Sequence, residues 1–348
     1  VMNVNKFSQE RVNAELEYIA EHVPKNTHSM FISDLNFGMI PRDLEICDDI
    51  AKVQSKYGYP TQIQATTGKN SKERVIRAIQ KLNGALRLWM SVQSMDQQVL
   101  TNVRRNNISV DQIIAIAPEI KKAELRTTSE VILGLPGDSY NSHLETLRTL
   151  VKAKMDHILV YTCMMLNGSE MNTPQEREKW GLKTKYRILP RDFVKLSNEK
   201  NIMEIEEVIV ANNTLTFDEY VDLRIVAISM YITNYGVVYD ALLKFLHEKH
   251  VDVFDLFLRS SRINENTPKI IASILEKAKD DTKNELWDSP EEIENYYQND
   301  KNYQQLITGE DGKNILQFYH ALVYAEHMQK WTDYILSTAK IVLKDEGK

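Results

Sequence analysis

With 348 residues, 43% of them hydrophobic, the chain carries enough apolar material for two domains or one large barrel with an appendage. A net charge of −6 argues against a general nucleic-acid binder, whose footprint is basic, and no apolar run approaches the roughly 18 residues that span a bilayer. Two cysteines cannot frame a disulfide scaffold and no secretory signal pattern opens the chain, so a cytoplasmic location is expected.

In chain order, Ser8 caps a helix whose apolar stripe is Val12, Leu16, Ile19, Ala20 and Val23. Ser29 to Ser33 reads as a strand ending in Asp34-Leu35-Asn36-Phe37-Gly38. Pro41 suits the first turn of the next helix, and Gly58 is placed to end it. Thr61 to Thr66 is a second strand, closed by Thr67-Gly68-Lys69-Asn70. Ser71 opens a helix with Val75, Ile76, Ile79 and Leu82 on one face. Ala85 to Val92 is a third strand, closed by Gln93-Ser94-Met95-Asp96. A helix through Val99, Leu100 and Val103 follows, then one from about 110 to 124 bent at Pro118.

The stretch 129–154 organises the rest. Val131-Ile132-Leu133 reads as a buried strand, broken at Gly134-Leu135-Pro136-Gly137. Ser142 with Glu145 fits a capping box and Ser139 is a competing cap; Leu144, Leu147 and Val151 then recur at helical spacing. Two glycines at a strand's C-terminal end suit a ligand touching backbone, or simply a tight turn. His157 to Thr162 is a fifth strand, followed by Met164 to Glu170. Strands alternating with helices, without hairpin signals, predict a parallel sheet with right-handed crossovers. The predicted class is α/β: a partial (βα) TIM-like barrel over 1–190 and a mainly helical domain over 191–348.

Residues 182–204 read as a surface linker, and Glu207 to Ala211 as one short strand. Thr216 with Glu219 is a capping box before a long apolar helix through Tyr220, Leu223, Ala227 and Met230. Thr267-Pro268 and Ser289-Pro290 are two more helix starts. Residues 313–343 form a long amphipathic helix carrying Leu316, Tyr319, Leu322, Met328, Trp331 and Ile335.

Single catalytic signals are weak. His247 and His250, with Asp252 and Asp255, have metal-ligand spacing, yet a solvated helix end explains them as well. Cys163 beside Met164 and Met165 reads as core. Glu130, if it faces a barrel interior, pairs with a basic group. There is no Walker loop and no GxGxxG.

Taken together the strand ends say more. DLNFGM at 34–39, ATTGKN at 65–70, SVQSMDQQVL at 91–100, SEVILGLPGD at 129–138 and YTCMMLNGSE at 161–170 resemble the radical S-adenosylmethionine (radical SAM) superfamily, in the branch whose members often carry an upstream cobalamin-binding domain. The resemblance covers about residues 5 to 195. It implies a partial barrel, S-adenosylmethionine as cofactor, a 4Fe-4S cluster held by a CxxxCxxC loop, and a 5′-deoxyadenosyl radical acting on a small-molecule or peptide substrate, with methyl transfer among the branch's reactions. It also implies an electron donor such as flavodoxin or ferredoxin, while the charge and the lack of a long apolar run argue for neither nucleic acid nor membrane as partner. By position, the resemblance places Asp34 and Asn36 toward the methionine moiety. Thr66, Thr67, Gln93 and Ser94 fall at polar contacts to ribose and methionine. Gly134, Leu135 and Pro136 fall on the adenine-side loop, and Tyr161, Met165 and Leu166 where the last strand passes the adenine. Asp138 and Asn167 stand where Glu and Pro are usual in the family.

The CxxxCxxC motif is missing. Cluster ligation needs three thiolates, and Cys47 and Cys163 are distant in sequence. A cobalamin motif is missing too, and the chain starts at Val1. The expectation is a fragment lacking the cluster loop and first strand, inactive alone, with the strand at 29–33 left as an open edge. The alternative is a cluster-less barrel relative serving as a non-catalytic ligand- or protein-binding module. An ordinary barrel lyase would have only Lys69 and Asp34 as candidates.

Overall fold

The computed structural model describes residues 6–67, 72–86, 88–105, 127–196 and 200–348. The expectations at Gly68 to Ser71, including Lys69, and the helix over 110–124 lie outside the described residues. The chain divides into two compact units, Val1–Val92 with Asn107–Ser129, and Gln93–Asn106 with Glu130–Lys348.

In the first unit, α1 (Gln9–His22) is capped by Ser8, whose hydroxyl accepts from the Arg11 amide. Its expected stripe is mostly unburied: Leu16 is its one buried residue, and Ile19 is 41% exposed. Strand β1 (Ser29–Phe37) pairs in parallel with β2 (Gln62–Thr67). β1 is longer than its apolar run predicts. The register shifts between Ile32 and Phe37, so Asp34 and Asn36 lie within an irregular strand end instead of following it. α2 (Asp43–Tyr57) starts two residues after Pro41 and ends at Gly58, whose φ of 68° closes the helix in the left-handed region. α3 (Lys72–Lys81) buries Val75, Ile76 and Ile79, with Leu82 just beyond its end, as its periodicity predicts. Leu86, ahead of β3 (Leu88–Gln93), bridges in parallel to Ile63 of β2.

In the second unit, Asp96 caps α4 (Gln97–Asn102). β4 (Thr127–Leu133) enters this unit at Glu130 and is hydrogen-bonded to β5 (His157–Thr162). α5 (Tyr140–Lys152) makes the crossover between them, the long connection that parallel neighbours need. Leu144, Leu147, Leu150 and Val151 bury its inner face. Its N-cap is Ser139, not Ser142: Ser142 sits at the third helical position and its hydroxyl accepts from the Ser139 amide at 2.8 Å. A serine there completes the reciprocal pair that Glu145 would have completed one turn later.

The expected linker over 182–204 is wrong. β6 (Lys183–Lys195) and β7 (Asn201–Ala211) form a long antiparallel hairpin. The charged residues that read as loop are cross-strand partners: Arg187 lies opposite Glu206, 2.6 Å apart, in register with Ile188 opposite Ile205. Facing opposite charges stabilise a strand pair, an effect that one strand's composition does not reveal. α6 (Pro174–Trp180) precedes the hairpin.

The helical part begins with α7 (Phe217–Asn234), carrying the expected Thr216–Glu219 capping box. It is buried on nearly every side, as an all-round apolar helix must be. α8 (Asp240–Glu248), α9 (Val253–Ser260), α10 (Lys269–Asn284), α11 (Pro290–Tyr297) and α12 (Asp300–Thr308) follow. The last amphipathic stretch is α13 (Ile315–Leu322), a π segment (Val323–His327) and α14 (Met328–Asp345). The wider π turn resets the register, so Ile315 and Tyr319 before it, Val323 at its start and Trp331, Ile335 and Val342 after it are all buried.

Candidate functional site

In the first unit, Asp34 and Asn36 are exposed on the irregular end of β1. The Asp34 carboxylate accepts from the Asn36 amide at 2.8 Å, a turn that leaves its other oxygen toward solvent. Behind them Asp43 is buried and accepts from the amides of Gly38 at 2.8 Å and Ile40 at 3.1 Å. Burial raises its pKa, and those amides oppose the rise. On β2, Thr66 is exposed while Thr67 is buried opposite Phe37.

In the second unit the loop after β4 is fixed from outside. Gly134 has φ 90°, and a Cβ there would lie 3.2 Å from the carbonyl oxygen of Ile209. The close backbone approach is therefore to β7, not to open space. Gly137, at φ 80°, has the side-chain amide of Asn102 where a Cβ would stand. Asn102 donates to the Pro136 carbonyl at 3.0 Å. Asn212 donates to the carbonyls of Leu135 and Asp138 at 3.1 and 3.2 Å, and Thr214 to that of Asp138 at 2.7 Å. The Asp138 carboxylate is buried with His143, 3.1 Å from its Nδ1, and accepts from Ser142 at 2.6 Å. Leu135 and Met165 pack with Val99, Cys163 and Ile209 in one apolar cluster. Asn102 and Asn212 carry no sequence signal beyond an asparagine near a helix or strand end.

Ser94 is buried and its hydroxyl accepts from the Asp96 amide at 3.1 Å, which anchors the start of α4. Gln93 has φ 59° and is half-buried. With Leu135, Pro136, Arg104, Arg105 and Trp180 it lines a cavity of 280 Å³. On the rim, Arg104 pairs with Glu170 at 2.8 Å. Burial lowers the pKa of Arg105, and the carboxylate of Glu130 opposes this, the basic neighbour expected for Glu130. Tyr161 is 48% exposed, yet crowding at its hydroxyl, then Glu130 beside it, pushes its pKa up to about 12. Leu166 is 58% exposed and Met165 is buried. Tyr161 borders a different cavity of 180 Å³. So Gln93, Leu135 and Pro136 come together, while Ser94 and Met165 are spent on packing and Tyr161 faces elsewhere.

The donors present do not fit a 4Fe-4S cluster. Three thiolates are required, and the sequence has two cysteines. Both are buried, Cys47 within α2 and Cys163 after β5, and burial pushes each thiol up to about 12. No group of three or more His, Cys, Asp or Glu is arranged for a metal among the described residues, His247 and His250 included. No helix among them is long and apolar enough to cross a membrane.

No family model matches the chain. It is 30% identical over 224 residues to the cobalamin-dependent radical SAM methyltransferase TokK of Streptomyces tokunonensis, covering 63% of this chain and 32% of that protein. It is 31% identical over 221 residues to the 2-(S-pantetheinyl)-carbapenam-3-carboxylate methyltransferase of Streptantibioticus cattleyicolor, covering 62% and 32%. Over this region the chain is thus similar in sequence to a cobalamin-dependent radical SAM methyltransferase. The chain spans about a third of the length of these two relatives. The radical SAM methyltransferase TsrM of Kitasatospora setae, solved with cobalamin and a 4Fe-4S cluster bound, is 11% identical at a TM-score of 0.38 over 47% of this chain and 30% of that one, too slight a likeness to argue from.

Proposed function

We propose that the chain is the strand–helix portion of a cobalamin-type radical SAM methyltransferase, which binds S-adenosylmethionine at its strand ends while residues 191–348 contribute contacts to a small substrate. The similarity to two methyltransferases supports the reaction class. The observation that carries the site is the 280 Å³ cavity where Gln93 meets Leu135 and Pro136. In this reading Leu135 and Pro136 offer an apolar face to the adenine and Gln93 an amide to the ribose. Ser94, next to Gln93, anchors the start of α4 through the Asp96 amide. A cluster would supply the electron that cleaves the sulfonium; no residue of this chain is assigned to hold it, and flavodoxin or ferredoxin would be its donor.

The lack of three thiolates favours a second reading, a cluster-less module that binds a nucleotide-like ligand without turnover. Calorimetric titration separates the two. S-adenosylmethionine is expected to bind weakly, with Kd on the order of 1 mM, a few polar anchors at work and no chelating iron. Gln93→Gly suits the positive φ, so it removes the amide without disturbing the fold, and is expected to weaken binding several-fold. No heat at about 5 mM ligand, or equal binding by Gln93→Gly, sinks the site assignment. Equal binding of adenosine monophosphate moves the chain to the module reading.

A further inference from the structure

The cavity of 180 Å³ lies among the end of β5, α7 and the start of α13. Arg224 lines it, is 4% exposed, and has an Nε with no hydrogen-bond partner. One Nη reaches Glu285 at 3.4 Å. Glu285 is already engaged by Arg187 at 3.1 Å, and Arg187 also pairs with Glu206 at 2.6 Å. Two guanidinium groups thus share two carboxylates, and Arg224 has the longer contact and a donor to spare. A buried donor without an acceptor is costly, so it marks a place where a partner belongs.

Two further features point the same way. Lys313 lines the cavity, 3.3 Å from Asp281. α13 begins there: Asn314 caps it by accepting from the Gln317 amide at 3.1 Å, and Ile315 and Leu316 of the first turn line the cavity. First-turn amides have no acceptor inside their helix, and the helix end carries about half a positive charge. Arg187, Arg224 and Lys313 are matched in formal charge by Glu206, Glu285 and Asp281, so this half charge is the residual field. A dianion would meet Glu285 with little to offset it. A planar monoanion suits both the weak positive field and the forked guanidinium donor. The stacked rings of Tyr231 and Tyr235, 4.4 Å apart, supply a flat wall.

We propose that the Arg224 cavity binds the carboxylate of a small organic acid with a flat body. A cavity of about 150 Å³ accommodates benzene, so benzoate is a fitting probe. The proposal deepens the functional reading by naming a ligand class for the helical part, and rests on that reading only in making the acid the substrate. Titration with benzoate needs no S-adenosylmethionine, so the two readings fail separately.

Benzoate is expected to bind, with benzamide, its neutral counterpart, and inorganic phosphate each at least about tenfold weaker. Arg224→Met keeps the stem and removes the donors, and is expected to cost about tenfold in benzoate affinity. Glu285→Gln removes the competing carboxylate and is expected to tighten binding about threefold. No benzoate binding at about 20 mM, benzamide or phosphate binding as tightly, or an unchanged affinity in Arg224→Met overturns the proposal. If circular dichroism shows Arg224→Met unfolded, Glu285→Gln decides alone, and an unchanged affinity there overturns it.

Discussion

The turn after β1 and the loop after β4 start from the same kind of sequence, an apolar strand running into polar residues and glycine, and they are held in different ways. After β1, Asp34 bonds an amide two residues on, and both Asp34 and Asn36 stay exposed. After β4, the carbonyls of Leu135, Pro136 and Asp138 are taken by Asn102, Asn212 and Thr214, which lie 34 to 77 residues away in sequence. Local bonds leave side chains free to meet a ligand. Long-range bonds fix a backbone shape and use up its acceptors. The first arrangement suits polar contacts that a ligand makes, and the second suits a preformed wall.

The strongest way to break this contrast is Gly134→Ala. The new Cβ combines positive-φ strain with the Ile209 carbonyl, and about 2–3 kcal/mol of stability should be lost in urea unfolding. Gly58→Ala has φ 68° and nothing within 4 Å, so strain alone applies and about 1 kcal/mol is expected. Equal losses would mean that β7 does not constrain the loop.

A smaller effect separates the polar residues. Asn212→Ala takes one of two donors from each of the carbonyls of Leu135 and Asp138, which keep the Asp138 amide and Thr214 respectively, for about 1 kcal/mol. Asp34→Ala should change stability by less than about 0.5 kcal/mol, as exposed local bonds do. A loss at Asp34 as large as that at Asn212 would erase the distinction.

The finest probe uses the thiols, Cys47 in the first unit and Cys163 beside the β4 loop. Both have pKa values raised by burial to about 12, so a disulfide reagent at pH 8 should label neither in the native state. The sign of the stability change follows. Above about pH 9 the unfolded chain gives up thiol protons that the folded chain keeps, so stability is full below that value and falls as pH rises toward 12. Labelling through local opening should reach Cys47 first, if the long-range bonds around the β4 loop hold Cys163 closed. Faster labelling of Cys163 would reverse the comparison.

Much of the scaffold was legible from sequence. β5 spans His157–Thr162 as read, α3 buries the face its period shows, and the Thr216–Glu219 box opens α7. Each of these rests on signals within one or two turns of chain, a repeat period or a cap, and such signals act wherever the segment ends up. The candidate site was legible only as a set of strand ends. Sequence does not tell Thr66 from Thr67, exposed and buried neighbours, nor show that Ser94 anchors a helix start.

What the sequence by itself determined is the alternation of strands and helices and the family likeness carried by the strand ends. Tertiary structure alone decided which polar groups are spent inside. Arg187 reads as a linker charge until Glu206 across the hairpin and Glu285, 98 residues on, become its partners. Gly134 reads as a gap for a ligand until Ile209 fills it. A hydrogen bond or ion pair depends on distances of a few ångströms between residues far apart in the chain. No local pattern encodes those distances, and so the packed fold settles them.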